Sequence, residues 1–90
     1  MRIEWSDEAQ LDLVDIQSWI EQSNPRAAET LRAAIASGVG RLSQAPHAFP
    51  QGRVVGTREY VVHPNYILIY SIDATVVTVL RLLHARRQYP

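Results

Sequence analysis

Three strand-like runs separated by two short turns fill the last third of the chain, and they constrain the fold more than any other feature. The runs cover residues 58–62, 66–72 and 76–83. The segment 63–66 has proline second and asparagine third, which suits a β-turn, and residues 73–74 turn the chain again. Strands joined by such short turns pair antiparallel, so the sequence predicts a three-strand meander. The middle run is apolar on both faces apart from Ser71, which places it centrally in the sheet.

The first half of the chain predicts a short strand followed by two helices. Residues 2–5 alternate as a strand does, and Ser6 is suited to cap the helix that follows. Asn24-Pro25 ends this helix and starts the next, because asparagine is a good N-cap and proline is preset for the first helical position. The two apolar stripes are Ala9, Leu13, Ile16 and Ile20 in the first helix, and Ala28, Leu31, Ile35, Gly38 and Leu42 in the second. A helical hairpin must bury these stripes, and one face of the sheet is the surface available.

The predicted fold class is therefore α+β in the order β-α-α-β-β-β. The N-terminal strand and the helical hairpin pack on an antiparallel sheet that ends in the meander, and residues 1–90 form a single domain. Gly38 costs about 1 kcal/mol of helix propensity relative to alanine, which predicts a packing reason, and small neighbours would let the two helices approach closely. Trp5, Trp19 and the strand tyrosines are interpreted as structural.

The composition narrows the classes of function. Cysteine is absent, which removes disulfides, zinc–thiolate sites and cysteine nucleophiles and fits a reducing compartment. Neither a signal peptide nor a membrane-length apolar run is recognisable, so we expect a cytoplasmic protein with no membrane contact. His47, His63 and His84 lie far apart and lack acidic neighbours at ligand spacing, so we expect neither a metal nor a cofactor.

The net charge of zero conceals a strong asymmetry along the chain. Residues 1–29 carry seven acids against two arginines, a net charge of −5, whereas residues 30–90 carry seven arginines against two acids, a net charge of +5. All nine basic residues other than the histidines are arginines, and the planar guanidinium group of arginine suits phosphate and carboxylate. A GC-rich genome would give the same preference for arginine, so the positions of these residues are more informative than their type.

The end of the chain gathers residues that bind anions and move protons. Metal-free RNA cleavage needs a base, a cation beside the phosphate and an acid. The candidates are His84 as base or acid, Arg58, Arg81, Arg86 and Arg87 as cations, and Tyr89 as a stacking group or proton donor. The structural alternative assigns Arg81 to the sheet edge, leaves Arg86 and Arg87 in solvent and makes His84 a strand cap. As a cluster these residues favour a binding surface.

Several segments occur in a characteristic order: the first strand with its acidic helix, Asn24-Pro25, and the segments 56–62, 66–70 and 79–87. Together they resemble the RelE/ParE superfamily of toxins from bacterial type II toxin–antitoxin modules, over nearly the whole chain. The resemblance implies a toxin that arrests growth and a cognate antitoxin, typically a ribbon-helix-helix protein with a disordered tail.

The superfamily has two main branches, which differ in their key residues. The RelE-like ribonuclease branch usually carries an arginine directly after the aromatic residue that opens the middle strand, but here Ile67 follows Tyr66. Arg86 can take the place of that branch's basic residue after the last strand, whereas Tyr89 lies closer to it than the branch's tyrosine would. The segments 56–61 and 80–86 follow the ParE-like branch.

The resemblance leaves three hypotheses. In the first, the chain is a ParE-like inhibitor of DNA gyrase, not itself an enzyme, and its target-binding candidates are Arg58, Arg81, His84, Arg86 and Arg87. In the second, it is a metal-free, ribosome-dependent mRNA endonuclease that uses His84, Arg86 and Tyr89. In the third, it is a non-toxic member that binds only the antitoxin.

The expected antitoxin site is a groove between the helical hairpin and the edge of the sheet. Its candidate residues are Leu13, Ile16, Trp19, Ile20, Leu31 and Ile35. A disordered segment that orders on binding would fill such a groove. The basic C-terminal part of the chain predicts that this segment is acidic.

Overall fold

The computed structural model describes residues 1–87 and 89, and it confirms the predicted order of elements. The strands and helices are β1 (Arg2–Trp5), α1 (Asp7–Ser23), α2 (Pro25–Gln44), β2 (Arg58–His63), β3 (Tyr66–Asp73) and β4 (Val76–His84), with a short 3-10 turn at Pro46–Ala48. Neither helix combines the length and the apolar character that crossing a bilayer requires, as far as the described residues go.

The caps predicted for the two helices are confirmed. The Ser6 hydroxyl accepts a hydrogen bond from the Ala9 N–H at 3.1 Å, and the Asn24 side chain accepts one from the Ala27 N–H at 3.0 Å. Asn24 also donates its backbone N–H to the carbonyl of Ile20 at 2.8 Å, which closes α1. One asparagine therefore ends the first helix and starts the second, because its backbone and side chain satisfy groups that each helix end leaves free.

The sheet has the strand order β1-β4-β3-β2. The predicted meander is confirmed, with β2 antiparallel to β3 and β3 antiparallel to β4. β1 lies parallel to β4, with Arg2 opposite Val76 and Trp5 opposite Val79, so the expectation of a wholly antiparallel sheet is wrong at this strand. A two-residue turn forces its strands to be antiparallel, whereas the helical hairpin between β1 and the meander imposes no such direction.

After Trp5, where β1 ends, the start of α1 lies beside the C-terminal half of β4. Ser6 donates its N–H to the carbonyl of Val79 and its hydroxyl to the carbonyl of Leu80, both at 2.9 Å. α2 then returns to the start of the chain, where the Met1 ammonium donates to the carbonyl of Ser43 at 2.7 Å. The meander gives the sheet two opposite ends. One end holds His63, Tyr66 and His84, and we call it the His84 end. The other end holds the turn between β3 and β4, and we call it the turn end.

The main core lies between the helices and one face of the sheet. Its buried residues are Ala9, Leu31, Ile35, Leu42, Val62, Leu68, Tyr70, Val77, Val79 and Leu82. The opposite face, which we call the second face, holds a smaller cluster of Ile67, Ile69 and Leu83, against which Tyr89 packs. The central position predicted for the middle strand is confirmed, since β3 is buried on both faces.

Packing accounts for the glycine at position 38, as its cost in helix propensity predicts. The close contact, however, is with the sheet. A Cβ atom at this position would lie 2.7 Å from Cε2 of Tyr60 and 2.9 Å from Cγ2 of Val62. The close approach is therefore between α2 and β2, rather than between the two helices as expected. The aromatic ring of Tyr60 occupies the space that a side chain at position 38 would need.

Candidate functional site

The five target-binding candidates occupy three separate places in the fold. His84, Arg86 and Arg87 lie at the His84 end, Arg81 points to α1 on the flank of the sheet, and Arg58 opens β2. On β3, Tyr66 is opposite His84 and Tyr70 is opposite Arg58. Four residues of strand separate these positions, roughly 13 Å. The structure therefore does not bring the candidates into one cluster.

Arg81 is held by a carboxylate within the fold. Its Nε and Nη2 donate to the two carboxylate oxygens of Asp12 at 2.8 and 3.0 Å, and Glu8 lies 3.8 Å from Nη1. Asp12 also accepts the backbone N–H of Leu82 at 3.0 Å, on the flank of β4 that β1 no longer covers. A two-pronged ion pair with an extra backbone donor is a fixed structural link, so Arg81 joins α1 to the sheet.

The pKa of Asp12 records this link. Burial by itself would raise it, but the hydrogen bonds from Arg81 and from the Leu82 N–H, with the charges of Arg81 and Arg87, hold it below the ordinary value of 3.8. The pKa of Arg81 is raised, chiefly by its hydrogen bond to Asp12. Asp12 therefore stays ionised across the physiological range.

The His84 end carries a row of three rings on an ordered turn. The ring of Tyr66 lies 5.2 Å from that of His84, edge to face, and 5.8 Å from that of His63. Both histidines accept a backbone N–H at Nδ1, His63 from Asn65 and His84 from Arg86, each at 3.1 Å. Within the described part of the chain, these bonds leave Nε2 of each ring for an outside partner, since a neutral imidazole that accepts at Nδ1 carries its proton on Nε2.

A cleft of about 320 Å³ lies between α1 and the rings of Tyr66 and His84. Trp19 and Ile16 line its helix side, Tyr66 and His84 line its sheet side, and Arg87 stands at its rim with Asp12 and Asp15. The Trp19 side chain is 74% exposed, which corrects its interpretation as structural. The sequence contained a signal for this exposure, because Trp19 lies outside the apolar stripe that runs from Ala9 to Ile20. An exposed indole beside an arginine is typical of residues that dominate protein interfaces.

The antitoxin-groove candidates divide into exposed and buried residues. Leu31 and Ile35 are only 1% and 6% exposed and belong to the main core, so they offer no surface to a partner. They are covered because the inner side of α2 lies directly on the sheet. Leu13, Ile16 and Ile20 are half-buried against the same core. The exposed candidate is Trp19, and the other exposed large apolar residues of α1 are Leu11 and Val14, which were not candidates.

Tyr89 is also held within the fold. It packs on Ile67, Ile69 and Leu83 of the second face, and its hydroxyl donates to the carboxylate of Glu59. Arg53 lies 4.7 Å above its ring. Burial and the hydrogen bond to Glu59 raise the pKa of Tyr89 to about 12. Burial opposes the shift at Glu59, yet the bonds from Tyr89 and the Arg53 N–H keep its pKa below 4.5.

Arg58 lines a larger cavity, of about 540 Å³, toward the turn end. Its Nη1 donates to the carbonyl of Phe49 at 2.6 Å and to that of His47 at 3.3 Å. Beside it the Tyr70 hydroxyl donates to the carbonyl of Pro46 at 2.6 Å. Burial raises the pKa of Tyr70, and the charge of Arg58 opposes this shift. Two side chains of the sheet thus hold the segment 46–49 in place, and Arg58 and His47 line the cavity.

Comparison with known proteins places this chain in one family. Residues 3–89 match the model of the ParE toxin of type II toxin–antitoxin systems. The putative toxin Y4kP of Sinorhizobium fredii is 36% identical over 99% of this chain and 93% of its own length. The toxin RelE2 of Caulobacter vibrioides is 30% identical over 96% of this chain and 97% of its own length.

Solved structures have the same fold at lower sequence identity. A chain of the chromosomal ParDE system of P. aeruginosa superposes with a TM-score of 0.81 at 20% identity, covering 93% of this chain and 95% of that one. A chain of the E. coli DinJ–YafQ complex superposes with a TM-score of 0.64 at 19% identity, covering 93% of each chain. The family match over almost all residues and the two curated relatives agree, and the chain belongs to the ParE toxin family as the toxin of a type II toxin–antitoxin system.

Proposed function

We propose that this toxin inhibits DNA gyrase in the cytoplasm and that a cognate antitoxin neutralises it. The observation that carries the proposal is the second face of the sheet. Ile67 stands where the resemblance gives the ribonuclease branch an arginine, and it is only 5% exposed beneath Tyr89. A ribonuclease must hold a cation against the scissile phosphate, and an apolar cluster at this position offers none.

The tyrosine that the ribonuclease hypothesis requires is also engaged. Its hydroxyl donates to Glu59, and its raised pKa of about 12 makes it a weak proton donor at neutral pH. His84 is the last residue of β4 and Arg86 lies in the turn that follows it, which the Arg87 N–H closes on the carbonyl of His84 at 2.9 Å. The cleft with Trp19, His84 and Arg87 is therefore the surface that we assign to the target.

Supercoiling by purified gyrase, with the isolated toxin added in stoichiometric excess, tests the proposal. We expect the loss of supercoiled product and the appearance of linear plasmid after the reaction is stopped with detergent and protease. Arg87→Ala should weaken inhibition about tenfold, since the loss of one interfacial arginine contact amounts to about 1.4 kcal/mol or more. Arg41→Ala is the matched control. This exposed arginine lies in the last turn of α2, at the end of the helix far from the turn that joins α1 to α2. Unchanged supercoiling with excess wild-type toxin would refute the proposal.

The ribonuclease function keeps one supporting observation, which is that the curated relative at 30% identity carries the name RelE2. Primer extension on ribosome-bound mRNA distinguishes the two functions. Cuts in the decoding site that vanish in Arg86→Ala would establish the ribonuclease. A toxin that neither cuts mRNA nor affects gyrase, and that causes no growth arrest on induction, would be a non-toxic member that binds only the antitoxin.

A further inference from the structure

Among the residues that the structure describes, Arg58 is a half-buried cation without a carboxylate partner. Arg81, the other half-buried arginine of the sheet, has Asp12 and Glu8 within 4 Å. No Asp or Glu in the described range 1–87 and 89 reaches Arg58, and its hydrogen bonds there go from Nη1 to two neutral carbonyls. Carbonyl oxygens orient a guanidinium but leave its charge uncompensated. A partly buried charge of this kind favours an anionic partner.

The cavity beside Arg58 has the lining that such a partner needs. Its polar residues include His47, Gln51 and Thr57, and its apolar wall includes Val55 and Ile72. The Thr57 hydroxyl donates to the carbonyl of Val54 at 2.7 Å and so braces the loop that closes the cavity. A volume of about 540 Å³ admits a side chain with its methylene groups rather than a single ion.

We propose that this cavity binds the carboxylate of an Asp or Glu side chain presented by an acidic peptide segment. Nε and Nη2 of Arg58, which make no hydrogen bond within the described residues, would donate to the two oxygens of a carboxylate, with His47 and Gln51 as further donors. The apolar wall would contact the methylenes of the incoming side chain. Under the proposed function, on which this identification of the partner rests, the segment belongs to the antitoxin.

A nucleic-acid phosphate fits the cavity less well. Phosphate backbones are bound by several cations along a track, whereas Arg58 is the one arginine among the residues that line this cavity. A single carboxylate needs only one guanidinium edge, and the bonds from Nη1 to the carbonyls of His47 and Phe49 hold the Arg58 guanidinium in place for it.

Titration of the ¹⁵N-labelled wild-type toxin with N-acetyl-glutamate, its α-carboxyl group blocked as the primary amide, tests the site, with the Arg Nε–H signals and the amides of Gly56 and Thr57 as readouts. We expect saturable shifts of Arg58 and of these two amides, with affinity about tenfold weaker or more for N-acetyl-glutamine blocked in the same way, which has the same shape but no charge. Equal responses to the two probes, or equal shifts at the exposed Arg26 and Arg32, would overturn the proposal. Tighter binding of inorganic phosphate than of N-acetyl-glutamate would overturn it in favour of a nucleic-acid site.

A pair of histidine variants locates the binding independently of Arg58, whose replacement also releases the segment 46–49. His47→Ala should weaken N-acetyl-glutamate binding several-fold, because it removes a donor from the cavity wall. His63→Ala, at the His84 end, should leave that binding unchanged. An equal loss in both variants would contradict the assignment. The titration contains neither gyrase nor antitoxin, so its failure would leave the proposed function standing, and a failed gyrase assay would leave the site standing.

Discussion

The two faces of the sheet are built from alternate residues of the same strands, yet they are closed in different ways. Leu68 and Tyr70 face the helices, where a continuous core reaches 0% exposure. Ile67 and Ile69 face the other side, where Tyr89 is the residue packed against their cluster. One face is closed by thirty-seven helical residues, in helices of 17 and 20 residues, and the other by a contact near the end of the chain.

This difference assigns different tasks to the two faces. The helix-covered face supplies the stability of the domain, because apolar burial scales with the area removed from water. The second face depends on the ring of Tyr89, on the hydrogen bond from the Tyr89 hydroxyl to Glu59, and on the Arg53 guanidinium above the ring. Segments with few buried contacts open at low free energy, so the second face is the part of the sheet that can be exposed without unfolding the molecule.

Truncation of two neighbouring residues on β3, one on each face of the sheet, should give the largest losses in the free energy of unfolding and the clearest difference between the faces. Leu68→Ala should lower the free energy of unfolding by about 3–5 kcal/mol, since its cavity lies under rigid helices. Ile69→Ala should lower it by about 2 kcal/mol, because the site beneath Tyr89 can relax. Urea denaturation followed by circular dichroism measures both values. Equal losses would show that the second face is as rigidly closed as the first.

The carboxylate that closes the flank of the helix-covered face should give the next largest effect. Asp12→Asn removes the ion pair with Arg81 and should cost about 2 kcal/mol at pH 7, as expected for a charged hydrogen bond. The lowered pKa of Asp12 predicts the pH dependence. Its contribution is complete above the unfolded value near 3.8 and is lost as the pH falls through the lower folded value.

Unfolding curves for wild type and Asp12→Asn at a series of pH values measure this contribution. The two free energies should converge as the pH falls below about 4. Asp15→Asn is the matched control, because Asp15 lies along the rim of the same cleft and outside the ion pairs found among the described residues. A constant difference between wild type and Asp12→Asn down to about pH 2 would contradict the role assigned to the Asp12 charge.

The contact between α2 and the sheet should respond to a single methyl group. Gly38→Ala places a Cβ against Tyr60 and Val62 at 2.7–2.9 Å and should lower stability by about 1–2 kcal/mol, because overpacking outweighs the gain in helix propensity. Gly40→Ala, whose Cβ meets nothing within 4 Å, should instead raise stability by up to about 1 kcal/mol. Thermal unfolding of the two variants checks the opposite signs.

The sequence predicted best what depends on neighbouring residues. Ser6 and Asn24 cap their helices as expected, since a cap and its partner lie three residues apart. The turns of the meander were recognisable for the same reason. The parallel pairing of β1 with β4 was not, because no local pattern records which strand a separate segment will join.

The candidate site was predicted less well, because its contacts span the chain. The carboxylate that holds Arg81 lies 69 residues away in sequence, so no residue near Arg81 in the sequence indicated its partner. The separation of Arg58 from His84, in contrast, was already implicit in the meander. β2 begins and β4 ends at opposite ends of such a sheet, and this direction argued against one converging cluster.

The smallest change should test the closure of the second face most directly. Tyr89→Phe keeps the ring but removes the hydrogen bond to Glu59, so global stability should fall by less than about 1 kcal/mol. Amide exchange at Ile67 and Ile69 should nevertheless accelerate, because local opening needs only the loss of this contact. Tyr66→Phe is the matched control, since Tyr66 lies on the opposite face of the same strand. Unchanged exchange would show that the ring alone holds the face closed.

The pH dependence of the same exchange follows from the two coupled groups. The folded pKa of Tyr89, about 12, exceeds its ordinary value of 10, so its contribution is complete below about pH 10 and is lost as the pH rises toward 12. The pKa of Glu59 is lowered, so its contribution is complete above about pH 4.5 and is lost on acidification. Protection of the second face should therefore extend from about pH 4.5 to about 10 in wild type, and in Tyr89→Phe the alkaline limit at this face should disappear.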